Sequence, residues 1–248
     1  MADRLGIIDW GIGGVGIYKL IRERMRVPVT YFSDTGVTPY GKMARGDLAM
    51  RLDKVIGFMA TLGATRVVVG CNAASTVIPD LSHRSVPVSG VIEAGVAAAV
   101  EANPARLGLI GGRRTIVSGS YRRAFTGHGI AVIQRVAQPL SGMIERGDIS
   151  SAELHEESRR ILAPLKTCSH ILLACTHYPA ITRVLAAHVS QRTKFIDPAE
   201  HLVAGLQGLR LKGVGNDEFF TSGDPEAMTR SAKAAWDVTL RSVKVCKQ

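Results

Sequence analysis

The sequence predicts an α/β protein made of two similar halves, each a mostly parallel sheet flanked by helices, with the active site in the cleft between them. Three observations support this prediction. Short apolar runs alternate with longer helix-like stretches, two segments of the first half recur in the second, and a cysteine follows the same apolar run in each half. Short apolar strands separated by helices indicate parallel βαβ units that are covered on both faces.

Eight short apolar runs are interpreted as strands. Each is four to six residues long and rich in Val, Ile and Leu, as expected for strands buried on both sides. The runs occupy residues 5–8, 29–32, 66–69, 88–92, 107–110, 131–136, 171–174 and 193–196.

The two halves of the chain echo each other in two places. Residues 4–8 (RLGII) recur as residues 106–110 (RLGLI), and both runs enter a glycine-rich turn. Residues 66–71 (RVVVGC) recur as residues 170–175 (HILLAC). The repeat therefore places one cysteine at the carboxyl end of the corresponding strand in each half.

Composition excludes several classes of protein. The chain has 248 residues, of which 46% are hydrophobic and 21% are charged, and this composition can fill a core. The net charge is +10, but basic residues are spread along the whole chain without interleaved aromatics, so we expect no nucleic-acid partner. No signal peptide or membrane-spanning run is recognisable, and we expect a cytoplasmic protein without a membrane partner.

Cys71 and Cys175 form the candidate catalytic pair. Ligands of open α/β sheets bind beyond the carboxyl ends of the strands, so two halves packed face to face would direct both thiols into one cleft. Polar residues follow each thiol, Asn72 in one half and Thr176-His177 in the other. Two opposed thiols can act as acid and base in turn, because the free thiol pKa of about 8.5 lies near working pH. Cys168 and Cys246 lack such a context and are interpreted as incidental.

A glycine-rich segment supports a competing interpretation. Residues 11–16 (GIGGVG) match the dinucleotide-binding pattern G-x-G-x-x-G after a strand, and Asp34 lies near the expected acidic position. This pattern predicts a nicotinamide-dependent enzyme. Against it, Asp9 precedes the first glycine, where its charge would face a pyrophosphate, and the paired cysteines would have no role. Asp34 is equally compatible with a turn or helix-cap residue.

Taken together, the strand ends resemble the glutamate racemases over nearly the whole chain. Residues 8–14 (IDWGIGG) look like that family's opening D-S-G-x-G-G, and residues 175–179 (CTHYP) reproduce its C-T-H-Y-P. The other matching segments are residues 31–41 (YFSDTGVTPYG), 71–75 (CNAAS), 90–95 (GVIEAG) and 221–225 (TSGDP).

The resemblance implies a cofactor-independent amino-acid racemase with two pseudo-symmetric domains, residues 1–93 plus 200–248 and residues 94–199. It implies that Cys71 works on the D face of the substrate and Cys175 on the L face, assisted by Asp9 and His177. Glu145 is a further candidate carboxylate near the second thiol. Neither pyridoxal phosphate, nicotinamide nor metal is expected, and a homodimer is left open.

The resemblance also assigns the substrate pocket, where the sequence departs from the family. Trp10 replaces a serine, Ala73 and Gly112 replace threonines, and Arg114 replaces an alanine. Each lost hydrogen bond to a charged substrate is worth roughly 1.5–3 kcal/mol, although Arg114 could supply a charge-assisted contact instead. The expected substrate-binding residues are Trp10, Pro39, Tyr40, Gly41, Asn72, Ala73, Thr115 and Thr176.

These departures leave three alternatives open. The first is a glutamate racemase that supplies D-glutamate for peptidoglycan. The second is a racemase of another amino acid, whose pocket has changed shape. The third is a binding homologue without turnover, which the intact set of Cys71, Cys175, Asp9 and His177 disfavours.

Overall fold

The computed structural model describes residues 2–82 and 86–247. Strands and helices alternate through most of this range, as the sequence predicts. The strands are β1 (Leu5–Asp9), β2 (Val29–Ser33), β3 (Arg66–Val69), β4 (Val88–Gly90), β5 (Leu107–Gly111), β6 (Val132–Val136), β7 (His170–Ala174), β8 (Lys194–Ile196), β9 (Glu218–Thr221) and β10 (Lys244–Val245).

The helices cover both faces of the sheets. Two of the longer ones begin where an aspartate accepts backbone N–H groups of the first turn and a proline follows it, Asp197-Pro198 and Asp224-Pro225. The helices are α1 (Val15–Arg24), α2 (Arg45–Thr61), α3 (Asn72–Ser75), α4 (Val91–Ala102), α5 (Arg113–Ser118), α6 (Ser120–Gly127), α7 (Gln138–Glu145), α8 (Ala152–Leu162), α9 (Thr182–Ala186), α10 (Pro198–Gly208) and α11 (Pro225–Trp236). Short 3₁₀ turns lie at Ile78–Asp80, Ala163–Leu165 and Tyr178–Ile181.

The described strands form two parallel sheets, as predicted. Their orders are β10-β9-β2-β1-β3-β4 and β6-β5-β7-β8. The run β2-β1-β3-β4 therefore has the same order as β6-β5-β7-β8. The register repeats too, because Leu5 pairs with Arg66 in the first sheet and Leu107 pairs with His170 in the second. The recurrence seen in the sequence is thus a structural repeat.

All eight predicted strands are present, although most of them differ from the predicted range by one residue at one end, one ends two residues early, and two further strands were not predicted. The predicted strand 88–92 ends at Gly90, because Val91 and Ile92 already form the first turn of α4. Strands β9 and β10 were not predicted. They extend the first sheet beyond β2, so this sheet contains strands from both ends of the chain.

The core lies against both sheets and continues between them. Central strands β1 and β5 are buried at every position, which explains why both are apolar apart from Asp9 at the end of β1. Helices α4 and α10 pack against each other where the chain passes between the sheets. The predicted domain limits lie within these two helices, at residues 93/94 in α4 and 199/200 in α10, and remain a prediction. Cys168, which the sequence analysis interprets as incidental, is buried in the core.

Candidate active site

Cys71 and Cys175 occupy equivalent positions in the two sheets. Cys71 comes two residues after the end of β3 and directly before α3, and Cys175 directly follows β7. Both side chains are half-buried. The two thiols are close enough that a negative charge on Cys175 raises the pKa of Cys71. The fold thus brings together the two cysteines that the repeat singles out.

The surroundings of Cys71 favour its neutral thiol. Burial is the largest cause and raises the pKa of Cys71 well above its usual value, and the nearby Asp9 carboxylate raises it further. Hydrogen bonds from the backbone N–H groups of Ala73 and Ala74 act in the opposite direction but do not outweigh burial. Cys71 therefore suits the role of proton donor until a cationic group enters the site.

Cys175 belongs to a chain of three side chains. Its Sγ lies 3.7 Å from His177 Nδ1, and His177 Nε2 lies 2.6 Å from Glu145 Oε2. Burial lowers the pKa of His177, but hydrogen bonds and charges from Cys175 and Glu145 outweigh burial and raise that pKa well above its usual value. A cationic imidazole at this distance can stabilise negative charge on a sulfur atom during proton transfer. Cys175 is therefore placed to act as a base.

Glu145 also explains the glycine-rich turn after β1. The backbone N–H of Ile12 donates to Glu145 Oε2 at 3.0 Å. A Cβ atom added to Gly11 would lie 2.1 Å from the same oxygen, so glycine is required for the carboxylate to approach this closely. The turn thus holds a protein carboxylate where the dinucleotide-binding interpretation would put a pyrophosphate. The structure does not favour a nicotinamide-dependent enzyme.

Asp9 is a buried carboxylate that connects the two halves. It accepts the backbone N–H of Trp10 at 2.6 Å and the hydroxyl of Thr176 at 2.9 Å. Burial raises its pKa to about 6, although the nearby His177 and the Thr176 hydrogen bond lower it. Asp9 lies beside both thiol centres, because it affects the pKa of Cys71 and contacts the residue that follows Cys175.

Asp34 has a supporting role that the sequence did not reveal. Its buried carboxylate accepts the Tyr40 hydroxyl at 2.7 Å, the Ser222 hydroxyl at 2.7 Å and two N–H groups of Arg51. It is therefore neither a helix cap nor available to a ligand. Asp34 instead anchors the Pro39-Tyr40-Gly41 segment through Tyr40, while Pro39 and Gly41 remain partly exposed.

Asn72 and Thr115 lie where the two halves meet. Asn72 is buried, and Tyr121 of α6 donates its hydroxyl to Asn72 Oδ1 at 2.8 Å. Thr115 is buried on α5, which contacts α3. Tyr121 was not among the predicted residues, since a single tyrosine on an amphipathic helix carries no signal of a contact with the other half.

Three of the four departures from the family pattern have structural explanations. Trp10 donates its indole N–H to the Val37 carbonyl at 3.1 Å, and Arg114 donates to the carbonyls of Tyr40, at 2.9 Å, and Met43. A Cβ atom at Gly112 would lie 3.1 Å from Gln138 Oε1, so the Gln138 amide fills the space of the missing side chain. Ala73 packs at the edge of the core, and nothing in the structure explains the absence of a hydroxyl there.

Within the described residues, neither a cluster of metal ligands nor a membrane-spanning helix is present. No group of three or more His, Cys, Asp or Glu side chains there is arranged to hold a metal ion. None of the helices there combines the length and apolar character needed to cross a membrane.

Comparisons with known proteins show the family to which the chain belongs. Residues 8–206 match the sequence profile of the Asp/Glu/Hydantoin racemase family. A glutamate racemase of Gloeobacter violaceus is 31% identical over 244 residues, which cover 94% of this chain and 91% of that protein.

Solved structures show the same fold. The glutamate racemase of Thermus thermophilus, solved in complex with β-chloro-D-alanine, superposes with a TM-score of 0.85 and 27% identity over 98% of this chain and 96% of that one. The glutamate racemase of Francisella tularensis, solved in complex with D-glutamate, gives a TM-score of 0.86 and 24% identity over 98% of this chain and 97% of that one.

Proposed function

Because the chain belongs to the Asp/Glu/Hydantoin racemase family, we propose that it interconverts L- and D-glutamate by moving the α-proton between Cys71 and Cys175. One observation supports the proposal: the two thiols follow equivalent strands of the two sheets, and each has an ionisable neighbour, His177 for Cys175 and Asp9 for Cys71. Racemisation requires such a pair, because a proton must leave one face of the α-carbon and another must arrive on the opposite face.

The reaction from the L enantiomer begins with the Cys175 thiolate, which the His177 imidazolium stabilises. This sulfur removes the α-proton, and the electron pair of the broken C–H bond is delocalised into the adjacent carboxylate group. The Cys71 thiol then delivers its proton to the opposite face, which forms the new C–H bond of the D enantiomer. Cys71 ends as the thiolate and Cys175 as the thiol, so the same steps in reverse convert D to L.

The remaining charged groups adjust this exchange. Glu145 holds His177 and balances its positive charge through the contact of 2.6 Å. Asp9, once ionised, offers a negative charge to the ammonium group of the substrate. The positive charge of that ammonium group in turn lowers the free-energy cost of forming the Cys71 thiolate. Because the two thiols balance every proton and electron pair, the proposed reaction uses no cofactor.

Glutamate is favoured over other amino acids because relatives that resemble this chain over most of its length, from Gloeobacter violaceus and Thermus thermophilus, are glutamate racemases. Trp10 stands where the family pattern has a serine, which keeps a differently shaped amino acid as the alternative substrate. A cytoplasmic location, the supply of D-glutamate for peptidoglycan and the two-domain division of the chain belong to the same proposal.

Exchange of the α-proton with deuterated solvent tests the proposal without assuming a substrate. The purified protein is incubated with each common amino acid in D₂O, and deuterium incorporation and enantiomeric ratio are measured by mass spectrometry and chiral chromatography. We expect glutamate to exchange fastest and to racemise. Faster exchange of another amino acid would reassign the substrate, and no exchange with any would indicate a binding homologue.

A further inference from the structure

Two of the residues that depart from the family pattern contact the same loop. This cleft loop, residues 37–43, belongs to the first half of the chain and includes the Pro39-Tyr40-Gly41 segment. The Trp10 indole N–H donates to the carbonyl of Val37, and the Arg114 guanidinium donates to the carbonyls of Tyr40 and Met43. Small side chains at these two positions, as in the family pattern, could form none of these hydrogen bonds.

Arg114 reaches the cleft loop from the other half of the chain. It lies in the first turn of α5, which follows strand β5 of the second sheet. Its two contacts use Nε and one terminal nitrogen, which leaves N–H groups of the guanidinium for another acceptor. The contacts also fix the side chain, so a ligand that binds to it does not have to immobilise a flexible arginine.

The electrostatic surroundings of Arg114 favour an anion. Arg114 is half-buried and forms no ion pair within residues 2–82 and 86–247. Burial lowers its pKa, and the cationic Arg45 lowers it further, whereas a negative charge on Cys71 raises it. The guanidinium is therefore partly desolvated, near another cation and close to the catalytic thiol. A carboxylate placed beside it would relieve an unfavourable charge.

We propose that Arg114 is a specificity-determining residue that binds the side-chain carboxylate of an acidic amino-acid substrate while it holds the cleft loop in place. The proposal deepens the proposed function and rests on it. It gives a reason for the departures from the family pattern, because a fixed cation takes over from the hydroxyl groups that Trp10, Ala73 and Gly112 remove. Arg114 binds the substrate but has no part in proton transfer.

A binding measurement tests this role without requiring turnover. The measurement uses the Cys175→Ala background, which prevents racemisation. Calorimetry gives the dissociation constants of D-glutamate and of D-glutamine, whose side chain has the same shape but no charge. We expect Arg114→Gln to reduce the preference for D-glutamate by about 10- to 100-fold, the range expected for a charge-assisted hydrogen bond. Arg114→Lys, which keeps the charge, should restore part of that preference.

Two further variants separate charge from loop anchoring. Trp10→Phe removes only the hydrogen bond to Val37 and should weaken both ligands to a similar degree. Arg113→Gln is the matched control, because Arg113 is the exposed neighbour of Arg114 and should leave both affinities unchanged. Equal losses of both ligands in Arg114→Gln, or no loss, would overturn the proposal. If the wild type does not racemise glutamate, the proposed function is refuted. The binding comparison does not depend on turnover, so the two failures can be told apart.

Discussion

His177 Nε2 lies 2.6 Å from Glu145 Oε2, in a contact that joins the 3₁₀ turn region after β7 to the end of α7. The opposite ring nitrogen of His177 faces Cys175 Sγ at 3.7 Å. Because the Glu145 carboxylate does not contact the sulfur, it can influence Cys175 only through the His177 ring. Glu145 is thus a positioning residue, and its effect must be visible on His177 itself.

Substitution Glu145→Gln should lower the pKa of His177. The carboxylate charge is one of the causes that raise this pKa, and the neutral amide removes it. We expect kcat/KM to fall by about 10- to 100-fold as the thiolate becomes less favourable. NMR titration of His177 and racemisation assays measure the two effects. Glu156→Gln is the control, since Glu156 is exposed and pairs with Arg159, and an unchanged His177 pKa in Glu145→Gln would contradict the assignment.

The raised pKa of Asp9 predicts a specific dependence of stability on pH. Between pH 3.8 and about 6 the folded protein retains a proton that the unfolded chain has released. The stability contribution of this proton is therefore complete below the unfolded pKa and is lost as the pH rises through about 6. A pKa shift of this size corresponds to about 3 kcal/mol in the free energy of unfolding.

An asparagine at position 9 cannot titrate. The variant Asp9→Asn should therefore not show this decrease in the free energy of unfolding with rising pH. Denaturant unfolding of both proteins at several pH values from 4 to 7 gives the difference in their free energies of unfolding. Asp197, whose pKa burial also raises to about 6, is present in both and cancels in the comparison. If the difference between wild type and Asp9→Asn stays constant across this range, Asp9 is ionised throughout in the folded state.

Gly11→Ala should disrupt the site without disturbing the core. Its Cβ atom would lie 2.1 Å from Glu145 Oε2, so the carboxylate must move away from Ile12 and His177. We expect at least about a tenfold loss of kcat/KM, similar to the loss of Glu145 itself. Gly57→Ala is the matched control, because the space around Gly57 in α2 is open and alanine favours the helix by roughly 0.5–1 kcal/mol. Equal activity of the two variants would show that Glu145 need not sit in the turn.

The sequence predicted the parts of the site that are tied to strand ends. Cys71, Cys175 and His177 follow apolar runs that recur in both halves, and parallel sheets place such positions at one edge. Strand β9 was missed because only two of its four residues, Phe219 and Phe220, are apolar, and this run is shorter than those that predicted the other strands.

The anchoring contacts could not be predicted for a different physical reason. Arg51 binds Asp34 from the middle of α2, and Arg114 binds carbonyl groups of the cleft loop. Every residue offers a carbonyl, so a sequence gives no sign of which one an arginine will reach. The loss of a hydroxyl at Gly112 is evident from the sequence. The sequence does not show, however, that the Gln138 amide occupies the space of the missing side chain.

Face-selective exchange in D₂O tests the two-thiol mechanism most directly. Cys71→Ala retains the base for the L face, so it should exchange the α-proton of L-glutamate while forming almost no D-glutamate. Cys175→Ala should do the same from D-glutamate, with racemisation in both reduced by at least about 10²-fold. Cys168→Ala, a buried core position, should racemise at the wild-type rate. If Cys71→Ala or Cys175→Ala formed the opposite enantiomer as fast as Cys168→Ala does, the two-thiol mechanism would be wrong.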